Sequence, residues 1–147
     1  MRSARIKIYR SGARSSPRLT SQPDGAPYAL CATTKHFGSA VVIIAGGEVD
    51  ASNEGDWNYL LAEMAATATP PGPVVVDVRG LDFMGGCAYA VLARQAERCR
   101  RRGVTLCLVS TQPIVARTVA ACGLRWMLPI YPKIETALSR AGTVPCS

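Results

Sequence analysis

Aromatic side chains make up only 6% of this 147-residue chain, so any core it forms is aliphatic. The longest uninterrupted apolar run is about Ala40 to Gly47. A membrane-spanning helix needs about 20 such residues, so no membrane protein of that kind is expected. There is one histidine, His36. A Ser-His-Asp or Cys-His arrangement would have to use it, and nothing around it supports that chemistry. Neither GxGxxG nor GxxxxGKS/T occurs, and Gly46-Gly47 lacks the later glycine and lysine, so dinucleotide and P-loop chemistry have no warrant. The six cysteines, Cys31, Cys87, Cys99, Cys107, Cys122 and Cys146, form no CxxC pair, and their spacings match no zinc framework. No metal and no cofactor is expected. No apolar segment follows the N-terminal bases, so no signal peptide is read, and a cytoplasmic protein with reduced thiols is expected. The acids Glu48, Asp50, Asp77 and Asp82 are scattered over loop and strand positions. An active site needs convergent titratable groups, and the reading is therefore not an enzyme.

What is present starts with charge. The net charge is +7, but the first 20 residues hold Arg2, Arg5, Lys7, Arg10, Arg14 and Arg18 and no acid. The remaining 127 residues carry 11 bases and 10 acids. A basic tail on a nearly neutral body argues much less for nucleic acid than a basic body would, and no direct nucleic-acid partner is expected. Residues 1–27, rich in Ser, Gly, Pro and Arg, read as a disordered basic leader. Residues 28–142 read as one folded domain, and 143–147 as a loose C-terminal end. The basic run Arg98, Arg100, Arg101 and Arg102 reads as a solvated helix end that suits the helix dipole.

Within the domain, Tyr28 to Lys35 reads as a first strand. The β-branched run Ala40 to Ala45 and the run Val74 to Val78 describe strands buried on both faces. Between them, Trp57, Leu60, Leu61, Met64 and Ala68 form one helical stripe over about Ala51 to Ala66, with Asp50 or Ser52 as its cap. Gly80 to Gly86 reads as a connection. A second helix follows from Cys87 to Arg102, with Ala88, Val91, Leu92, Ala96 and Cys99 inward and Gly103 at its end. Val104 to Val109 is a third buried strand, and Pro113 opens a third helix that ends at Gly123. A short strand near Met127 to Ile130 and a last helix over Lys133 to Arg140, with Ile134, Ala137, Leu138 and Ala141 inward, complete the pattern. Cys99, Cys107 and Cys122 fall on apolar stripes or a strand and are read as core. Strands alternating with helices imply an α/β fold with a mostly parallel sheet, an antiparallel first strand and helices packed on the sheet.

Three segments carry a more specific signal: Gly47-Glu48-Val49-Asp50, then Val74 to Met84 (VVVDVRGLDFM), then Cys122-Gly123-Leu124. In this order and spacing the chain resembles the STAS domain and, within it, the bacterial anti-sigma factor antagonists. Those proteins carry G-E-hydrophobic-D, then D-hydrophobic-S/R-G-hydrophobic-x-F-hydrophobic-D-S-S-G-L, then T-G-L. The resemblance covers about Tyr28 to Ala141. It implies a non-enzymatic protein that binds an ATPase-type anti-sigma factor, which is also a kinase. That kinase phosphorylates the second serine of D-S-S-G and so breaks the complex. It also implies a contact surface made of Asp50 and of Gly85, Gly86, Cys87, Ala88 and Tyr89.

Against D-S-S-G-L this chain reads Gly85-Gly86-Cys87-Ala88-Tyr89. The acid is absent and Cys87 stands where the phosphoacceptor would be, so the serine switch is expected to be lost while the binding fold is kept. Two readings of Cys87 stay open. One is a redox handle whose thiolate is favoured at a helix N-terminus. The other is a small, half-buried substitute for serine. A function from another class also stays open: a sensor of a nucleotide or other anionic ligand, held by backbone N–H groups of the Gly85-Gly86 turn. The sequence does not fix the oligomeric state.

Overall fold

A computed structural model describes residues 2–8 as backbone and 30–141 in full. One six-stranded sheet runs through it, and its strand order follows chain order. The elements are β1 (Arg2–Ile8), β2 (Leu30–Phe37), β3 (Ala40–Val49), α1 (Glu54–Thr67), β4 (Val74–Met84), α2 (Gly86–Arg101), β5 (Leu106–Val109), α3 (Pro113–Ala121), β6 (Ile130–Tyr131) and α4 (Ile134–Ala141). β1 pairs antiparallel with β2 and β2 with β3, while β3, β4, β5 and β6 are parallel. The α/β architecture with its mostly parallel sheet is the one the pattern predicts.

The elements lie close to their expected bounds, with four instructive differences. The expected disordered leader over 1–27 is not met at Arg2–Ile8, which forms β1. Without it β2 would present a free row of N–H and C=O groups, the template on which an added strand forms. The rest of that expectation, 9–27, and the loose end at 143–147 lie outside the described residues. The predicted connection Gly80 to Gly86 is also corrected, because β4 stays paired with β3 as far as Met84. Two register shifts, opposite Ile44/Gly46 and Gly47/Glu48 of β3, each take up one extra residue of β4 and keep the strands paired. A Cβ on Gly80 would lie 2.8 Å from the carbonyl oxygen of Ala45, so only glycine fits this close approach. The third difference is the start of α1, three residues later than predicted. The fourth is Cys122, which is exposed where a core position was expected. It follows α3 beside Gly123, whose φ of +72° ends the helix.

Helices cover both faces of the sheet. On one face, Trp57, Leu60 and Leu61 of α1, Ala88, Val91, Leu92, Ala96 and Cys99 of α2, and Val115 and Val119 of α3 pack on Val41, Ile43, Val74, Val76, Leu106 and Leu108. On the other face, Ala137 of α4, with Ile134, Leu138 and Ala141, packs on Val42, Val75, Cys107 and Val109. Alternate residues of β3, β4 and β5 thus serve opposite cores, which is why these strands are continuously apolar.

The basic run at the end of α2 is mostly engaged in the fold. Arg100 and Arg101 pair with Glu97 at 3.0 and 3.1 Å. Those guanidinium groups, Arg100 first, hold the Glu97 carboxyl below its ordinary value. Arg102 donates to the carbonyls of Ala65 and Ala68 at 2.8 and 2.7 Å, satisfying the open end of α1. Arg98 is exposed.

The buried thiols yield a test. Burial pushes Cys107 from 9.0 up to about 12 and raises Cys99 as well. In the native protein a maleimide is expected to label Cys122 first among the described thiols and to leave Cys99 and Cys107 untouched until denaturant is added, as read by peptide mass spectrometry. Because the folded state holds the Cys107 proton more tightly than the unfolded chain does, this thiol also makes stability fall as pH rises from 9.0 toward about 12.

Candidate functional site

The site is built where β3 and β4 end side by side. Val49 is in register with Met84. One residue on, the Gly85 N–H donates to the Val49 carbonyl at 2.9 Å. A Cβ on Gly85 would sit 3.8 Å from the Asp50 Cα. The two segments picked out by the sequence motifs, 47–50 and 85–87, are therefore neighbours on one edge of the molecule.

The loop from Glu48 to Asn53 is held by its own polar groups. Asn53, almost fully buried, accepts from the Asp50 N–H at 3.0 Å and donates its Nδ2 to the Glu48 carbonyl at 2.9 Å. Its backbone carbonyl accepts from Trp57 at 3.1 Å, the first hydrogen bond of α1. The Asp50 carboxylate accepts from both the N–H and the hydroxyl of Ser52. This corrects the expected cap: neither Asp50 nor Ser52 caps α1, because both belong to a closed turn before it. Asn53 holds the boundary position instead, with a side chain that points back into the loop.

α2 starts at Gly86, with Gly85 extended before it, no side-chain cap and no acid in its first turn. Cys87 is half-buried in that turn. Ala88 and Tyr89 turn inward, with Ala88 fully buried and Tyr89 5% exposed, so neither side chain is presented to a partner. That corrects their place in the expected contact surface. The helical period explains it: two residues after the exposed Gly86 the stripe reaches the core. Burial pushes the Tyr89 phenol up. The Trp57 indole N–H donates to the Ala88 carbonyl at 3.2 Å and so fixes the first turn of α2 against α1.

Two residues that the sequence reading left aside complete the surface. Phe83 and Ile114 are 53% and 55% exposed. They flank a cleft of about 310 Å³ that runs from Met84 and Gly86 to Tyr89 and Thr118, between the end of β4 and α3. The signal was available for Phe83, which stands at the phenylalanine of the quoted motif. Ile114 carried none, since α3 is marked in the sequence only by Pro113 at its start and Gly123 at its end.

Among the described residues, no group of three or more His, Cys, Asp or Glu is placed to hold a metal ion. No described helix is long and apolar enough to cross a membrane. His36 Nε2 lies 3.1 Å from the Thr67 hydroxyl, away from this site. Asp77 is buried and gives both carboxylate oxygens to the Arg79 guanidinium, at 3.0 and 2.8 Å, which raises Arg79 further. Its carboxylate is thus occupied in a structural pair.

The STAS domain profile matches residues 32–137. The chain belongs to the STAS domain family. It is 56% identical over 111 residues to the anti-sigma-F factor antagonist RsfA of Mycobacterium tuberculosis, a match covering 76% of this chain and 87% of that protein. It is 53% identical over 133 residues to a protein of the same organism, Rv2638, named as a candidate anti-anti-sigma factor, with 89% and 90% covered. Among solved structures, an anti-sigma factor antagonist from Mycobacterium paratuberculosis superposes with a TM-score of 0.68 at 22% identity, over 79% of this chain and 97% of that one. The unphosphorylated form of the antagonist SpoIIAA superposes at 0.60 and 13% identity, over 77% and 99%. These likenesses support the STAS fold.

The loop is the part of the site most open to test. Asn53→Ala removes the partners of the Asp50 N–H and the Glu48 carbonyl. It is expected to lower stability by about 1–3 kcal/mol in urea denaturation.

Proposed function

We propose that this protein is an anti-sigma factor antagonist that acts by binding an anti-sigma factor at the surface formed by Asp50, Gly85, Gly86 and Cys87. The observation that carries this reading is the junction of the two motif segments through the Gly85 to Val49 hydrogen bond. It supports reading Cys87 and the Asp50 loop as parts of one surface. Relatives named as antagonists, matched over most of their own lengths, support the same activity. Partner recognition needs a rigid frame and an exposed anchor. The Asn53 loop and the Trp57 bond supply the frame, and Phe83 and Ile114 supply apolar anchors. Ala88 and Tyr89 contribute from behind, as core that sets the angle of α2.

The kinase-operated serine switch has no acceptor here. Cys87 holds the position, and the nearest hydroxyl in sequence, Tyr89, is buried. The protein therefore acts as an antagonist that its anti-sigma factor does not inactivate by serine phosphorylation. It works by recognition in the cytoplasm, without catalysis and without direct contact to nucleic acid.

The test begins with capture from the source cell's lysate and identification of an ATPase-type anti-sigma factor by mass spectrometry. Calorimetric titration of that factor with variants follows. Cys87→Ser is expected to bind within about threefold of the parent chain. Cys87→Asp places a carboxylate at the contact and is expected to bind at least tenfold more weakly. Phe83→Ala is expected to lose tenfold or more, on the order of 1.4 kcal/mol. Equal binding by Cys87→Asp and Cys87→Ser would remove this surface from the interface.

A further inference from the structure

Charge is segregated along this chain, and the fold converts that into segregation in space. Residues 48–97 hold eight acids and two bases, whereas 98–134 hold seven bases and no acid. Since sheet order follows chain order, the second stretch builds one side of the molecule: the end of α2, β5, α3 and β6. Three of its arginines are engaged. Arg100 and Arg101 pair with Glu97, Arg100 also lies 5.3 Å from the Trp126 ring centroid, and Arg102 closes α1. Arg117 of α3 and Arg125, just after it, make no ion pair among the described residues.

Both arginines border a cleft of about 550 Å³ between α3 and β6. The half-buried Pro129 and Ile130 form its apolar wall, and the small Ala116 and Ala120 of α3 leave it open. The volume lies within the range of small-ligand sites, in which a few polar groups fix the orientation of a ligand on an apolar wall. Arginine presents a planar fork to carboxylate or phosphate oxygens. With no acid within residues 98–134, there is no local carboxylate in that stretch to compete for the two guanidinium groups.

We infer that the α3–β6 cleft binds a small amphipathic anion, a carboxylate or phosphate head held by Arg117 and Arg125 with a short aliphatic tail on Pro129 and Ile130. The site is separate from the antagonist surface. It uses Ala116, Arg117 and Ala120 of α3, while the cleft beside Phe83 uses Ile114, Val115 and Thr118 of the same helix. The inference does not depend on the identity of the protein partner.

Amide chemical shifts of the full chain, labelled with nitrogen-15, test it by titration with octanoate and with octyl phosphate. Octanol, acetate and inorganic phosphate serve as probes that lack the head or the tail. Saturable shifts confined to α3 and β6 are expected from octanoate, octyl phosphate or both, at least tenfold stronger than from any of the three partial probes. The exposed double substitution Arg117→Gln with Arg125→Gln is expected to weaken that binding tenfold or more while leaving the rest of the spectrum in place. Absence of saturable shifts from both amphiphiles overturns the inference. So does equal binding by the double variant, inorganic phosphate binding as strongly as octyl phosphate, or shifts centred on Gly85 to Cys87.

Discussion

The pairing of β3 with β4 is the constraint on which the rest of the molecule depends. It runs from Val41 opposite Val74 to Val49 opposite Met84, the full length of both strands. To stay together over that distance the two backbones approach so closely at Gly80 that a methyl group would collide with the Ala45 carbonyl. The pair separates two cores, one beneath α1, α2 and α3 and one beneath α4. It also delivers two loops to a common edge, where Gly85 closes on Val49. A side chain at position 80 would therefore act at a distance, by spreading the strands and parting the segments that form the surface.

Rigidity at that edge comes from neutral polar groups that burial makes strong. Asn53 satisfies one donor and one acceptor of the loop, and Trp57 reaches across to the first turn of α2. Both are buried, so water does not compete for their partners, and the low local dielectric strengthens each bond. The charged residues are arranged differently. Glu97 with its two arginines lies on the surface and contributes little to stability there. At this edge, positioning is a task of buried amide and indole.

Much of this was legible in the sequence, for identifiable reasons. The runs AVVIIA and VVVDV had to be strands covered on two sides, and the stripes of α1, α2 and α4 faced the core as their spacing required. The quoted motifs picked out two segments, 47–50 and 85–87, that the fold brings side by side. What could not be read depended on partners distant in sequence. β1 exists by virtue of the free edge of β2. Residues 80–84, rich in turn formers, extend only because β3 lies alongside them. Asn53 looks like any loop residue until Glu48 and Asp50 fold around it. Tyr89 sits where the family pattern has an aliphatic residue, and only the packing of α3 shows that it points inward. Cys122 kept the right period for a core residue but follows the helix end, where the period no longer applies.

Sheet order that follows chain order has a consequence for how the domain is made. Each strand from β2 onward pairs with the strand synthesised just before it, and each parallel step is bridged by one helix that covers the new pair. No strand has to wait for a distant segment and then insert between two others. Such a sheet can grow at one margin as the chain leaves the ribosome, with every added unit burying apolar surface on a platform already formed. The basic margin of α3 and β6 is the last to join the sheet, and α4 then closes over its second face.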